Sequence, residues 1–246
     1  MKKSQNLPSC PYCLQENLKL ISTAAQRQIY QCQKCQLVSA AKEIFNGRLS
    51  PQALARLKTK EYQKKTKKWH QAYLQEKDSL LARFDKRLQE IEKRKKPGKI
   101  LDIGCAAGFF LESAQKHGWQ VYGIDTNKEA INHCQKLVES SRLFQGTLEK
   151  ANFKPNFFDV ITLFEVLEHM PDLQAFLAET KRILKPQGLL ALNVPNRAGV
   201  VSRLLGQHWF DYKRLQHLYF FSPQTLKMVL KKNDFKIIFE KQEIFY

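Results

Sequence analysis

The chain has 246 residues, 43% of them hydrophobic, and a formal net charge of +18 at pH 7. That length and apolar share suit a soluble protein with one full α/β domain and a small appendage. No apolar run approaches the roughly 20 residues of a membrane-spanning helix. The basic start MKKSQNLPSCPYC has no apolar stretch behind it of the kind a secretory signal carries, so a cytoplasmic protein is expected.

The first predicted element is a small module over residues 1–49. Four of the six cysteines stand as Cys10-Pro-Tyr-Cys13 and Cys32-Gln-Lys-Cys35, with 18 residues between the pairs. This is the spacing of a four-thiolate zinc site, and the intervening LKLISTAAQRQIYQ suits a β-hairpin that brings two knuckles together. A segment this short buries too little to fold by itself, so metal coordination would supply its folding energy. Two disulfides do not suit a reducing cytosol, and a redox dithiol needs only one pair. Cys10, Cys13, Cys32 and Cys35 are therefore read as ligands of a structural Zn2+, with no coordination position left for a substrate.

Residues 50–97 read as basic helix. Ser50 and Pro51 make an N-cap and first helical position, Leu80, Leu81, Phe84, Leu88 and Ile91 recur at three- and four-residue steps, and Pro97-Gly98 ends the pattern. This segment holds most of the charge surplus. Residues 1–49 carry 7 Lys/Arg against 2 Asp/Glu, residues 50–99 carry 16 against 6, and residues 100–246 carry 18 against 15. A solvated lysine-rich face and a nucleic-acid footprint produce the same count. Trp69, His70 and Tyr73 lie within one helical turn, placed either to reach over a pocket or to pack.

From Gly98 onward strands alternate with helices. KILDIG, QVYGID, RLFQG, FDVITLF and GLLALNVP read as strands, with a last strand inside FKIIFEKQEIFY, and helices are predicted between them. The pattern implies a mostly parallel, doubly wound α/β sheet that binds ligands at the carboxyl ends of its strands. After the first strand, Gly104 and Gly108 flank a tight turn that opens onto a helix, and Asp125 ends the second strand where a carboxylate can accept both hydroxyls of a ribose. The third residue of the turn is Ala106 and the sixth is Phe109, which departs from the glycine pattern of dinucleotide enzymes.

ILDIGCAAGFFL, VYGIDTN, FDVITLFEVLEHMPD and LKPQGLLALNVPN, in this order, resemble the motifs of class I S-adenosylmethionine-dependent methyltransferases. EVLEH and HLYFFS are most similar to the branch that includes ubiquinone-type O-methyltransferases, and a four-cysteine module precedes the catalytic domain in several members of the wider group. The resemblance implies a Rossmann-like methyltransferase domain over residues 98–246, preceded by a zinc-ribbon-like module (1–49) and a helical linker or lid (50–97). It assigns Asp102 to the methionine amino group or to ordering the turn, and Gly104, Ala106, Gly108 and Phe109 to the methionine part. Asp125 and Thr126 fall to the ribose, and Phe164 to the region of the transferable methyl. Thr147 and the backbone amide of Leu148 fall to the adenine, where the family often has an acidic residue. The family's sheet ends in two antiparallel strands, for the second of which the chain has no residues left.

Methyl transfer to an alcohol or phenol needs a base. His169 is the first candidate, read equally as a histidine bonded to Glu168, and His217 is the second; Glu165, which follows Phe164 next to where the methyl should point, is counted with them. Trp209, Phe210 and Tyr219 are read either as walls of an acceptor pocket or as packing. The partner expected is a small-molecule acceptor, methylated on oxygen, nitrogen or a sugar carbon, with a homo-oligomer left open. The alternatives are an RNA-directed methyltransferase gripping through the basic region and a non-catalytic adenosylmethionine-binding module. Against RNA, FEVLEH differs from the Asn/Asp-Pro-Pro-Tyr type, and no aromatics interleave the basic run.

Overall fold

A computed structural model describes residues 8–241. In chain order it contains β1 (Leu18–Ala24), β2 (Arg27–Cys32), β3 (Val38–Ser39), β4 (Ile44–Phe45), β5 (Arg48–Leu49), α1 (Pro51–Leu57), α2 (Lys60–Gln75) and α3 (Lys77–Glu92). Then follow β6 (Lys99–Ile103), α4 (Phe109–Lys116), β7 (Gln120–Asp125), α5 (Lys128–Cys134), β8 (Leu143–Gln145), α6 (Leu148–Ala151), β9 (Phe158–Phe164) and α7 (Leu173–Ile183). The chain continues with β10 (Leu184–Asn193), α8 (Val200–Leu205), β11 (Tyr219–Phe220) and α9 (Pro223–Lys232). It forms two compact units: the described parts of Met1–Ala53, Pro171–Gln174 and Pro195–Tyr246, and a second of Leu54–Met170 with Ala175–Val194.

The second unit is built on a parallel sheet of order β10-β9-β6-β7-β8. Its central strand is Lys-Ile-Leu-Asp-Ile, buried from its second residue on, as a strand covered on both faces requires. Strand order reverses between β6 and β9, so the crevice at their carboxyl ends is where such a sheet holds ligands. Helix α3 is part of this core. Its Leu80, Phe84, Leu88 and Ile91, spaced to fall on one face, are buried with Ile100, Phe110 and Val160. Each contributes about 2 kcal/mol by leaving water, and the apolar stripe ends where Lys93 and Arg94 turn the chain toward Pro97. Helix α2, by contrast, has no fully buried residue.

The first unit joins sequence-distant pieces. Its sheet runs β1-β2-β3-β11, antiparallel throughout, so that Phe220 and Tyr219 of the C-terminal segment pair with Val38 and Ser39 of the cysteine module. The predicted hairpin is β1–β2, turning through Ala25 and Gln26, both at positive φ. Ile29, Val38, Trp209, Tyr212 and Phe220 form its apolar centre.

The expected boundaries at 49/50 and 97/98 thus cut the chain differently from its packing: α3 packs with β6 and α4, while residues beyond Val194 pack with the cysteine module. The predicted strand in FKIIFEKQEIFY is absent as far as Lys241, and the rest of that segment lies outside the described residues.

Candidate functional site

The turn after β6 is held against the next strand. Gly104 N and Cys105 N both donate to Ile124 O, at 2.8 and 3.0 Å, and Gly108 N donates to Cys105 O at 2.9 Å. Gly104 lies at φ +74°, and a Cβ there would meet Val166 Cγ2 at 2.6 Å. Gly108 lies at φ +82°, where a Cβ would meet Cys134 Sγ at 2.8 Å. Both conditions select glycine. Ala106 adopts the same left-handed region, at φ +46°, at a cost of about 1 kcal/mol. Its N–H is tied to Asp125 Oδ2 at 3.0 Å, and its carbonyl accepts from the Cys134 thiol at 3.2 Å.

Asp125 stands at the carboxyl end of β7. One carboxylate oxygen accepts from Ala106 N, the other from Asn127 N at 2.8 Å. Two backbone donors fix the plane of the group and leave lone pairs for a ligand. Burial raises its pKa, and the N–H groups of Asn127 and Ala106 act against that rise. Asp102, on β6, is more deeply enclosed, at 4% exposure. Burial pushes its pKa up to about 7, although the Thr162 hydroxyl donates to it at 2.6 Å. A cationic ligand group near Asp102 would favour its ionised form.

The other predicted residues of this unit fall as follows. Phe109 is buried at the start of α4 and stacks on Tyr73 of α2, centroids 5.4 Å apart with planes 9° from parallel. Thr126 is exposed beside Asp125, Thr147 is the N-cap of α6, and Leu148 is buried. Phe164 ends β9, packed against Phe110 at 5.1 Å and under the guanidinium of Arg87 at 4.8 Å. Glu165 follows in the left-handed region, at φ +58°, and accepts from Asn193 Nδ2 at 2.5 Å. His169 is partly exposed, with Nε2 3.9 Å from Glu168 Oε1. The turn, Asp102 and Asp125 therefore converge at the ends of β6 and β7, while Glu165 and Phe164 stand at the end of β9.

In the first unit the two knuckles are near copies. Leu14 N donates to Cys10 O and Gln36 N to Cys32 O, both at 2.9 Å, and Leu14 and Gln36 close them at φ +60° and +61°. Cys10 Sγ lies 3.7 Å from Cys35 Sγ and Cys13 Sγ 3.5 Å from Cys32 Sγ, with all four sulfurs within 4.8 Å of one another. A tetrahedral Zn2+ with bonds near 2.3 Å needs sulfurs about 3.8 Å apart, so this set can hold one. The Cys35 thiol holds Cys10 toward the thiolate, lowering its pKa to about 5.

His217 also belongs to this unit. It is 2% exposed, with Nδ1 3.9 Å from Asp211 Oδ1, which in turn binds Arg214 Nε at 3.0 Å. Trp209 and Tyr219 are buried packing residues, whereas Phe210 is exposed. Sequence reasoning missed Arg27. Though 2% exposed, its guanidinium donates to the carbonyls of Tyr212 (3.1 Å), Arg214 (2.7 Å), Leu215 (3.1 Å) and His217 (2.9 Å), clasping the loop that carries His217. It also missed Thr162, whose signal is a lone hydroxyl in the apolar run of β9.

The parallel sheet with its switch point, glycine turn and strand-end carboxylate defines a Rossmann-like methyltransferase fold. A solved SAM dependent methyltransferase from Archaeoglobus fulgidus matches that fold with a TM-score of 0.56 and 22% identity, over 67% of this chain and 74% of its own. Residues 69–240 match the family described as "Methyltransferase domain", and the chain belongs to that family. Among curated proteins it is similar to the ubiquinone biosynthesis O-methyltransferase of Bartonella bacilliformis, 34% identical over 157 residues, covering 58% of this chain and 61% of the relative. The protein of the same name from Actinobacillus pleuropneumoniae is 38% identical over 110 residues, 40% of this chain and 46% of the relative. The chain thus spans about six tenths of the first relative and less than half of the second. Among the described residues no helix is long and apolar enough to cross a membrane.

Proposed function

We propose that the chain binds S-adenosylmethionine at the ends of β6 and β7 and transfers its methyl group to a small-molecule acceptor. The observation that carries this reading is the Asp125 carboxylate, oriented by Ala106 N and Asn127 N beside the glycine turn. The residues fit such a ligand: a strand-end carboxylate suits a ribose diol, and the buried Asp102 suits a neighbouring positive charge. When bound, S-adenosylmethionine supplies a methyl group already activated on a sulfonium.

Little else is asked of the protein beyond alignment and exclusion of water. Asp125 and Thr126 hold the ribose end, Thr147 and the Leu148 amide the adenine, and Gly104, Ala106, Gly108 and Phe109 the methionine end near Asp102. Phe164 and Glu165 border the methyl. For a hydroxyl acceptor, the O–H bond would break with its proton passing to His169 or Glu165, and the oxygen would take the methyl as the bond from methyl to sulfur breaks, leaving the neutral demethylated cofactor. The partial exposure of His169 suits that task better than the burial of His217. The names of the curated relatives favour oxygen as the acceptor atom. Cys10, Cys13, Cys32 and Cys35 would hold a structural Zn2+, a role supported by the sulfur spacing.

The test is transfer of labelled methyl to panels of phenols, amines and sugars by the metal-loaded protein, with and without Asp125→Ala. The expected result is label in one acceptor class with an equivalent of demethylated cofactor, slowed at least tenfold in the variant at subsaturating cofactor. Undiminished transfer by the variant would overturn the assignment.

A further inference from the structure

The first unit contains an open cleft of about 680 Å3, between β1 and the segment that follows β10. Its lining includes Arg197 and Arg203 with the amide side chains of Asn196, Gln207 and Gln224, and holds no acidic residue. The volume lies within the range of small-molecule sites.

Arg197 is held in place from several directions. Its N–H donates to Phe221 O at 2.7 Å, its carbonyl accepts from the Ser202 hydroxyl at 2.5 Å, and the Asn196 side chain accepts from Ala198 N at 2.9 Å. The Arg197 Nε donates to the Tyr212 hydroxyl at 3.2 Å. Among the described residues, neither the terminal nitrogens of Arg197 nor any nitrogen of Arg203 meets a carboxylate. Arg197 is partly exposed and Arg203 exposed, so both keep N–H donors open to an anionic ligand entering the cleft. The C-terminal part of this unit is itself basic: residues 195–241 carry 9 Lys/Arg against 3 Asp/Glu, and Asp211 pairs with Arg214 and Glu240 with Lys227.

We infer that this cleft binds a phosphate-type oxyanion of a phosphorylated ligand, clamped by Arg197 and Arg203. Two planar forks around one cleft match a multiply charged tetrahedral oxyanion, whereas a lone carboxylate would occupy only one of them. A phosphate alone fills a small part of 680 Å3, so the body of the ligand lies against Ile21 and Pro223. Two sources carry this chemistry. One is a soluble phosphate ester. The other is a phospholipid headgroup, which the exposed Val200, Val201 and Leu204 beside Arg203 would accompany with apolar contact. The inference is independent of methyl transfer, because it concerns binding within the first unit alone.

The experiment is calorimetric titration of the full metal-loaded chain with inorganic pyrophosphate at low and moderate salt, alongside flotation with vesicles of phosphatidylglycerol or of phosphatidylcholine. Wild type is compared with Arg197→Gln, Arg203→Gln and Lys213→Gln, the last an exposed cation outside the cleft. Arg203 is exposed, so its variant probes the clamp without disturbing packing. Saturable one-to-one pyrophosphate binding, weakened at least tenfold by each arginine variant but not by Lys213→Gln, supports the soluble source. Flotation with phosphatidylglycerol alone, lost in the same two variants, supports the headgroup. Absence of both, persistence in Arg197→Gln/Arg203→Gln, or an equal loss in Lys213→Gln overturns the inference.

Discussion

Arg27→Met removes one charged side chain from the first unit while roughly keeping its volume, so the effect isolates the guanidinium rather than a cavity. In the wild type that group donates to four carbonyls at 2.7–3.1 Å, all in residues 212–217. Charge-assisted bonds contribute about 1.5 to 3 kcal/mol each when counted singly, but four on one group are not additive. Water can reach some of the carbonyls once the loop loosens, so the expected loss is about 3 to 5 kcal/mol, as for removing one partner of a buried ionic network. The assay is amide hydrogen exchange on metal-loaded protein. Protection of 212–221 should fall by about two to three and a half decades, while β6, in the other unit, keeps its protection. A loss below about 1 kcal/mol in 212–221, or an equal loss in β6, would refute the view that Arg27 clasps this loop.

Asp102 gives a pH prediction. It keeps its proton to about pH 7 when folded but loses it near 3.8 when unfolded, so the folded state binds more protons in that window. Stability therefore falls as pH rises from about 4 to 7 and then levels off, the total being about 4 kcal/mol. The gap between denaturant midpoints at pH 5 and pH 8 should shrink in Asp102→Asn, the remainder coming from other buried carboxylates such as Asp125 and Asp211; an unchanged gap counts against the assignment. Gly104→Ala places a Cβ 2.6 Å from Val166 Cγ2 at φ +74° and should cost about 2 kcal/mol, together with weaker cofactor binding. Thermal unfolding of the ligand-free variant checks the first part, and an unshifted midpoint would contradict it. Chelation should remove one zinc per chain and loosen Leu18–Cys32 and Tyr219–Phe220 together, because β3 joins them in one sheet. Exchange that rises only in the knuckles would show that the metal does not support the sheet.

Local pattern made much of this legible. The two Cys-x-x-Cys pairs announced the knuckles, the Leu80–Phe84–Leu88–Ile91 spacing announced the buried face of α3, and alternating strands and helices announced the parallel sheet. Asp102, the glycine turn and Asp125 could be read from one short stretch because neighbouring strand ends place them together. What stayed hidden depends on contacts between distant residues. Nothing in Tyr219–Phe220 tells that two residues pair with β3 rather than with the large sheet. Arg27 reads as surface charge, since arginine is almost never fully buried without partners, and its partners are backbone carbonyls that leave no mark in sequence. Thr162 looks like one more β-branched strand residue until its hydroxyl is seen on Asp102.

The most direct test of the central claim is calorimetric titration of the metal-loaded chain with S-adenosylmethionine, its demethylated product and NADH. One-to-one binding of the first two is expected, weakened at least tenfold by Asp125→Ala, with no heat of binding from NADH. Binding of NADH alone, or equal affinity of wild type and variant for S-adenosylmethionine, would contradict it.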